Sequence, residues 1–264
     1  MGAYDRVQAA RAKGRPTSID YINNIFTDFQ ELHGDRRFGD DGAIIGGIGR
    51  LCGLPVTIIA QEKGQNTKDK IARNFGSPNP EGYRKALRLM KQAEKFNRPV
   101  ICFVDTSGAY PGLGAEERGQ ALAIAENLME MMTLRTPVIS VLVGEGGSGG
   151  ALALAVSDEV WMMENAIYSV ISPEGCASIL WRDAKKVKEA SECLKLTAED
   201  LYSMNVIERI IPESGKDFSN AYMNLQTWLK KAIDDRKDVD MDELLDKRYE
   251  RFRKFGRQID ENEV

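Results

Sequence analysis

Two glycine-rich runs hold the residues with the clearest chemical potential: Asp105-Thr106-Ser107-Gly108-Ala109-Tyr110-Pro111-Gly112 and Gly144-Glu145-Gly146-Gly147-Ser148-Gly149-Gly150. Each follows a short β-branched run, Val100–Val104 and Val138–Val143, and each opens into a helix-like segment. Strand, glycine loop and helix in that order turn backbone N–H groups toward an anion. Two such units in succession point to a pocket that stabilises a developing oxyanion with main-chain donors, and so to an enzyme rather than a binding module. Five glycines in seven residues exceed what a turn needs.

Side-chain nucleophile chemistry fits poorly. His33 is the only histidine, which disfavours Ser-His-Asp and Cys-His catalysis. It follows a helical pattern and precedes Gly34, so a role at a helix C-terminus is expected. Glu116, Glu117 and Glu145 are available as general acids or bases, but adjacent glutamates at a helix start more often serve the helix dipole. Cys52, Cys102, Cys176 and Cys193 are scattered, without zinc-ribbon spacing, so no metal site is expected. Free thiols fit a reducing cytoplasm.

The elements that must position these loops are legible as an alternation of strands and helices, which argues for an α/β fold with mostly parallel pairing. Residues 1–16 are small, basic and polar, and read as an arm or linker. Thr17 or Ser18 caps a helix whose apolar residues Ile22, Ile25, Phe26, Phe29 and Leu32 follow helical spacing. Ala43–Leu51 and Pro55–Ala60 read as paired strands. A helix from Glu81 to about Asn97 leads to Val100–Val104. Another from Glu116 to Thr133 is expected to bury Leu122, Ala125, Leu128 and Met132. Ala151–Val156 is a third, with further strands at Val160–Met163, Ile167–Ile171 and Val206–Ile211, and a helix after Ser172-Pro173. Trp161 and Trp181 read as core or interface residues. The divisions expected are an arm at 1–16, a main domain at 17–215 and a charged helical C-terminal segment at 216–264.

The chain has 264 residues, 42% hydrophobic and 29% charged, with net charge −4. That is an ordinary globular composition with no whole-chain attraction to nucleic acid or an anionic membrane. No apolar run approaches a membrane span, and the first residues lack the apolar core of a signal peptide. Between Glu62 and Lys95, nine basic and four acidic residues leave a local excess of +5. It suits CoA phosphates, an acidic partner, nucleic acid or simply solvent; with little aromatic interleaving, single-strand binding is the weakest of these.

The motifs resemble those of the α subunits of bacterial acetyl-CoA carboxylase carboxyltransferases. The resemblance runs in one order from about residue 17 to 212 through Gly34-Asp35-Arg36, Ala43–Ile48, Asn74-Phe75-Gly76, Pro80–Ala86, Gly108–Gly112, Ala115–Gly119, Gly144–Gly150 and Tyr168–Ala177. It implies a crotonase-like ββα superhelix of the ClpP/crotonase type. It also implies transfer of a carboxyl group from carboxybiotin on a biotin carboxyl carrier protein to acetyl-CoA, giving malonyl-CoA for fatty-acid synthesis. The implied partners are a β subunit in an α2β2 heterotetramer, which carries the zinc and most of the acyl-CoA site, and a biotin carboxylase; the assembly depends on ATP.

By this resemblance Gly149 and Gly150 are the principal donors to the biotin oxygen, helped by Gly108 and Ala109, while Gly146, Gly147, Ser148, Tyr110 and Pro111 line the biotin site. Gly150→Val is then expected to abolish transfer while folding survives. Two departures stand out: Ser107 occupies a position where proline is common, and many members begin with a longer helical extension. Two rival readings make different demands. A free-standing crotonase-type hydratase needs Glu116 or Glu145 as acid and base. A scaffold or nucleic-acid role needs the basic 62–95 segment to be free.

Overall fold

The protein is described here from a computed structural model covering residues 1–256. Residues 257–264, the end of the expected C-terminal helical segment, lie outside the described residues. The N-terminal segment expected as an arm carries a helix, α1 (Ala3–Ala10), with Ala3, Arg6, Val7 and Ala10 buried. Next, α2 (Ser18–Ile25) begins at Thr17, whose N–H donates to the Asp20 carboxylate at 2.8 Å, half of a reciprocal cap.

The expected continuation of this helix to Leu32 is corrected by the structure. The chain turns extended at Phe26 and forms β1 (Thr27–Glu31). Phe29 and Leu32 satisfy helical spacing, yet the chain here pairs antiparallel with a neighbouring strand, Gln30 opposite Ile48. Tertiary pairing overrides the local pattern. His33 therefore follows a strand, not a helix; it is exposed, with Nδ1 2.8 Å from Asp40.

The expected strand pair is an antiparallel hairpin, β2 (Ile44–Leu51) and β3 (Leu54–Gln61). The short α3 (Thr67–Ala72) and a 3₁₀ turn at Asn74–Gly76 precede α4 (Pro80–Lys95), which starts with proline at its first turn. Then β4 (Val100–Thr106) runs parallel to β3 with every residue buried. Burial on both faces explains its unbroken apolar run.

The helix expected at 116–133 is two helices, α5 (Leu113–Glu117) and α6 (Gln120–Met132), separated at Gly119 with φ 81°. Its expected inner face holds only in part: Leu128 and Met132 are half-buried against the main core, but Leu122 and Ala125 are exposed, and Ala123, Asn127 and Met131 take the buried positions. α6 packs on α4, with Ala123 in one cluster with Tyr83, and Asn127 donates to the Ala153 carbonyl.

The second glycine run is only in part a loop. Its first four residues continue β5 (Val138–Gly147), where Gly146 pairs with Thr106 and with Tyr168. Its last three open α7 (Ser148–Leu152), which ends before the expected 151–156 helix is complete. β6 (Glu159–Met163), β7 (Ile167–Ser169), α8 (Pro173–Trp181), α9 (Val187–Cys193), α10 (Ala198–Ser203) and β8 (Arg209–Ile211) follow.

Among the described residues one eight-stranded sheet runs β1-β2-β3-β4-β5-β6-β8, with β7 paired to β5. From β3 to β8 the pairing is parallel. The expected α/β fold with mostly parallel strands is what forms. The last helices, α11 (Ser219–Asp234) and α12 (Met241–Arg253), pack back on the sheet layer: Leu225 and Leu229 join the main core. Buried Arg248 binds both Asp158 oxygens and the carbonyls of Met131, Leu134 and Thr136.

Candidate active site

Parallel strands end together, and ligand sites of open α/β sheets form beyond those carboxyl ends. Here the ends of β4 and β5 carry Asp105 and Glu145, and Lys63 follows the end of β3. The Lys63 ammonium lies 2.7 Å from Asp105 Oδ1 and 2.7 Å from Glu145 Oε2. The Glu145 backbone N–H donates to the same Asp105 oxygen at 2.8 Å. Arg11, just past α1, donates to Glu145 at 2.7 Å and to Glu174 of α8 at 2.7 Å. Arg15 caps the Val143 carbonyl and pairs with Glu213.

This charged floor borders a cavity of about 620 Å³, lined in part by Arg11, Lys13, Lys63, Lys70, Phe75 and Ser107. Burial opposes the Lys63 charge, but the two carboxylates outweigh it and raise its pKa above the ordinary value. Burial likewise opposes the Glu145 charge, and Lys63 and Arg11 outweigh it, so its pKa is lowered. Glu145 is thus held ionised, the wrong state for a general acid. Glu116 and Glu117 are exposed on α5. The carboxylates that a hydratase reading needs are therefore either neutralised by cations or out in solvent.

Above this floor the two runs meet. A Cβ placed on Gly150 would lie 2.6 Å from the Ala109 nitrogen, so the first turn of α7 rests directly on the loop after β4. The Gly150 carbonyl accepts from Gln61 Nε2 at 2.7 Å and from the Tyr83 hydroxyl at 3.4 Å. Among the described residues the N–H groups of Ala109, Gly149 and Gly150 donate to no protein acceptor, whereas the Gly108 N–H is taken up by Thr106 Oγ1 at 3.0 Å. First-turn N–H groups have no partner within their own helix. What the arrangement offers is a set of main-chain donors on two abutting turns.

The remaining site expectations separate. Ser148 is exposed at the strand-to-helix corner with φ 52°. Tyr110 and Pro111 are also exposed, and the edge of the Tyr110 ring lies against Gly112, where a Cβ would overlap Cε1. Gly146 and Gly147 sit inside β5: side chains there would overlap Leu142 and the Ser107 carbonyl respectively. Close packing accounts for both as glycine. The Lys63–Asp105–Glu145 cluster was not singled out from sequence. Its signal was a charged residue at the carboxyl end of an apolar strand, present at both Asp105 and Glu145.

The basic 62–95 segment is largely neutralised. Lys63, Arg73, Arg84, Lys85 and Lys91 all form ion pairs, and Arg88 donates to the carbonyl of Gly34.

A family model described as acetyl co-enzyme A carboxylase carboxyltransferase-like matches residues 1–256. The chain belongs to that family. Membership makes it a transferase, a carboxyltransferase component. It is 64% identical over 256 residues to the acetyl-coenzyme A carboxylase carboxyl transferase subunit alpha of Ruminiclostridium cellulolyticum, covering 97% of this chain and 98% of that one. A Clostridium tetani relative named subunits beta/alpha is 57% identical over 260 residues, covering 97% of this chain and 45% of that longer one. Among solved structures, a transcarboxylase 12S chain superposes with TM-score 0.69 at 20% identity, covering 85% of this chain and 44% of that one. That likeness shows that the two chains share a fold. No helix among the described residues is long and apolar enough to cross a membrane.

Proposed function

We propose that the chain is the α component of an acetyl-CoA carboxyltransferase and contributes the half of the site that faces biotin. The observation that carries this reading is family membership along essentially the whole described chain, with a relative of that name matched over 98% of its length. The reaction gives malonyl-CoA from acetyl-CoA.

Biotin on its carrier fits the donors present. When bound, carboxybiotin supplies the carboxyl group and leaves negative charge on an oxygen. The N–H groups of Gly149, Gly150 and Ala109 are hydrogen-bond donors without protein acceptors, the complement such an oxygen requires. Gly149 is partly open, and its glycine character lets a ligand approach the main chain. Each well-placed donor of this kind contributes roughly 2.7–4 kcal/mol to transition-state stabilisation. Gln61 and Tyr83 fix the turn that carries them. The cavity reaches Ser107, two residues before Ala109, and Glu145, four before Gly149; the three donors themselves lie outside its lining.

The acyl-CoA half of the site and the zinc are assigned to a β subunit in an α2β2 assembly, with biotin carboxyl carrier protein and biotin carboxylase completing the cycle. A relative whose name joins beta and alpha supports the pairing. Four free cysteines support a cytoplasmic setting. Light scattering of the chain mixed with a β-type subunit tests the assembly. A mass of two copies of each is expected; a mixture that elutes as two separate proteins contradicts it.

A further inference from the structure

Lys63 sits where the two donor turns must be held in register. Asp105 precedes Gly108 by three positions and Glu145 precedes Gly149 by four. One ammonium touches both carboxylates at 2.7 Å, and the Glu145 N–H adds a direct link between the strands. The surroundings are shaped to admit this side chain. Gly76, at φ 79°, leaves space that a Cβ would take, 2.5 Å from Lys63 Cγ and 3.1 Å from the Asp105 carbonyl oxygen. A side chain on Gly144 would overlap the Asp105 carboxylate. Arg11 closes the far side of Glu145, so that carboxylate has a cation on each oxygen.

We propose that Lys63 is a positioning residue for carboxyl transfer, clamping the ends of β4 and β5 so that Ala109 on one turn and Gly149 and Gly150 on the other act on the same oxygen. This rests on the functional reading above and adds a residue to it. Lys63 acts through the two strands rather than on the reacting atoms. Removing its charge leaves Asp105 and Glu145 facing each other without their shared cation, and like charges at that separation repel. The donor turns then lose their common reference.

The test uses the assembled complex with its partner subunit. Lys63→Met is expected to lower kcat by about 100-fold, the cost of a misplacement on the order of 1 Å. The KM for malonyl-CoA should stay at the parent value, because the partner holds that substrate. Lys63→Arg, which keeps a cation able to reach both carboxylates, should restore most of the loss. Glu145→Gln keeps the side chain's shape and should lower kcat in the same direction, and it decides the question if Lys63→Met does not fold. A folded, assembled Lys63→Met or Glu145→Gln complex with the parent kcat overturns the proposal. So does a rate that falls only in proportion to the complex lost, since that marks a purely structural role. A parent complex with no transfer activity instead overturns the functional reading on which the proposal stands.

Discussion

Gly150 packs so tightly on Ala109 that a methyl group there would lie 2.6 Å from the Ala109 nitrogen and 2.9 Å from the Tyr83 hydroxyl. The proposed donor site and the packing of the two turns therefore share this contact. Gly150→Val, expected from sequence to block transfer and spare the fold, does not separate these roles: it forces the turns apart.

Gly149 separates them. A Cβ at Gly149 meets only Ile124 Cγ2, at 3.6 Å, an ordinary contact. Gly149→Ala should keep unfolding free energy within about 0.5 kcal/mol of the parent. It should still slow transfer by roughly tenfold or more, since one added methyl in a fitted pocket costs ~1–3 kcal/mol. Gly150→Ala should lose both stability and rate. Urea unfolding beside a transfer assay checks the pair; equal behaviour of the two variants contradicts the assignment.

Arg248 ties the last helix to the sheet layer through a buried pair with Asp158 and three backbone carbonyls. Arg248→Met leaves a carboxylate and those carbonyls without their partner. The loss expected is ~3–5 kcal/mol, seen as a lower urea midpoint. A midpoint equal to the parent's would contradict this role for Arg248.

Asp35 supplies a pH signature. Burial opposes its charge, but N–H groups of Phe38, Arg37 and Gly39 and the Arg84 guanidinium outweigh that, lowering the pKa from 3.8 to about 2. A folded value below the unfolded one means the stabilisation is complete above 3.8 and disappears as pH falls toward 2. Asp35→Asn should destabilise the chain at neutral pH, and its deficit against the parent should shrink across that acid window. A deficit constant from pH 7 to about 2 would contradict the assignment.

The sequence made the two abutting turns legible in outline because glycine marks where backbone must approach backbone. The run 144–150 announced itself, and its neighbour at 105–112 with it. What stayed hidden was the division of labour. Gly146 and Gly147 are glycine to fit inside β5 against Leu142 and Ser107, a demand set by strands far away in sequence. Lys63 finds Glu145 across 82 positions, which no local pattern encodes. Amphipathic spacing misled at α6, where Leu122 and Ala125 fit a helical stripe but face outward, and at Phe29 and Leu32, where a strand partner captured residues with helical spacing. Strand runs fared better: Val100–Val104 is too β-branched and too apolar for anything except a strand buried on both faces.

The central claim is that this chain transfers a carboxyl group only as part of a site shared with a β subunit. The direct measurement follows carboxyl transfer from malonyl-CoA to a free biotin derivative, with the chain alone and mixed with that partner. The account predicts acetyl-CoA formation in the mixture and none from the chain alone. An inactive mixture, together with hydration of an enoyl-CoA by the chain alone, would contradict it and assign the glycine turns to a self-contained crotonase reaction.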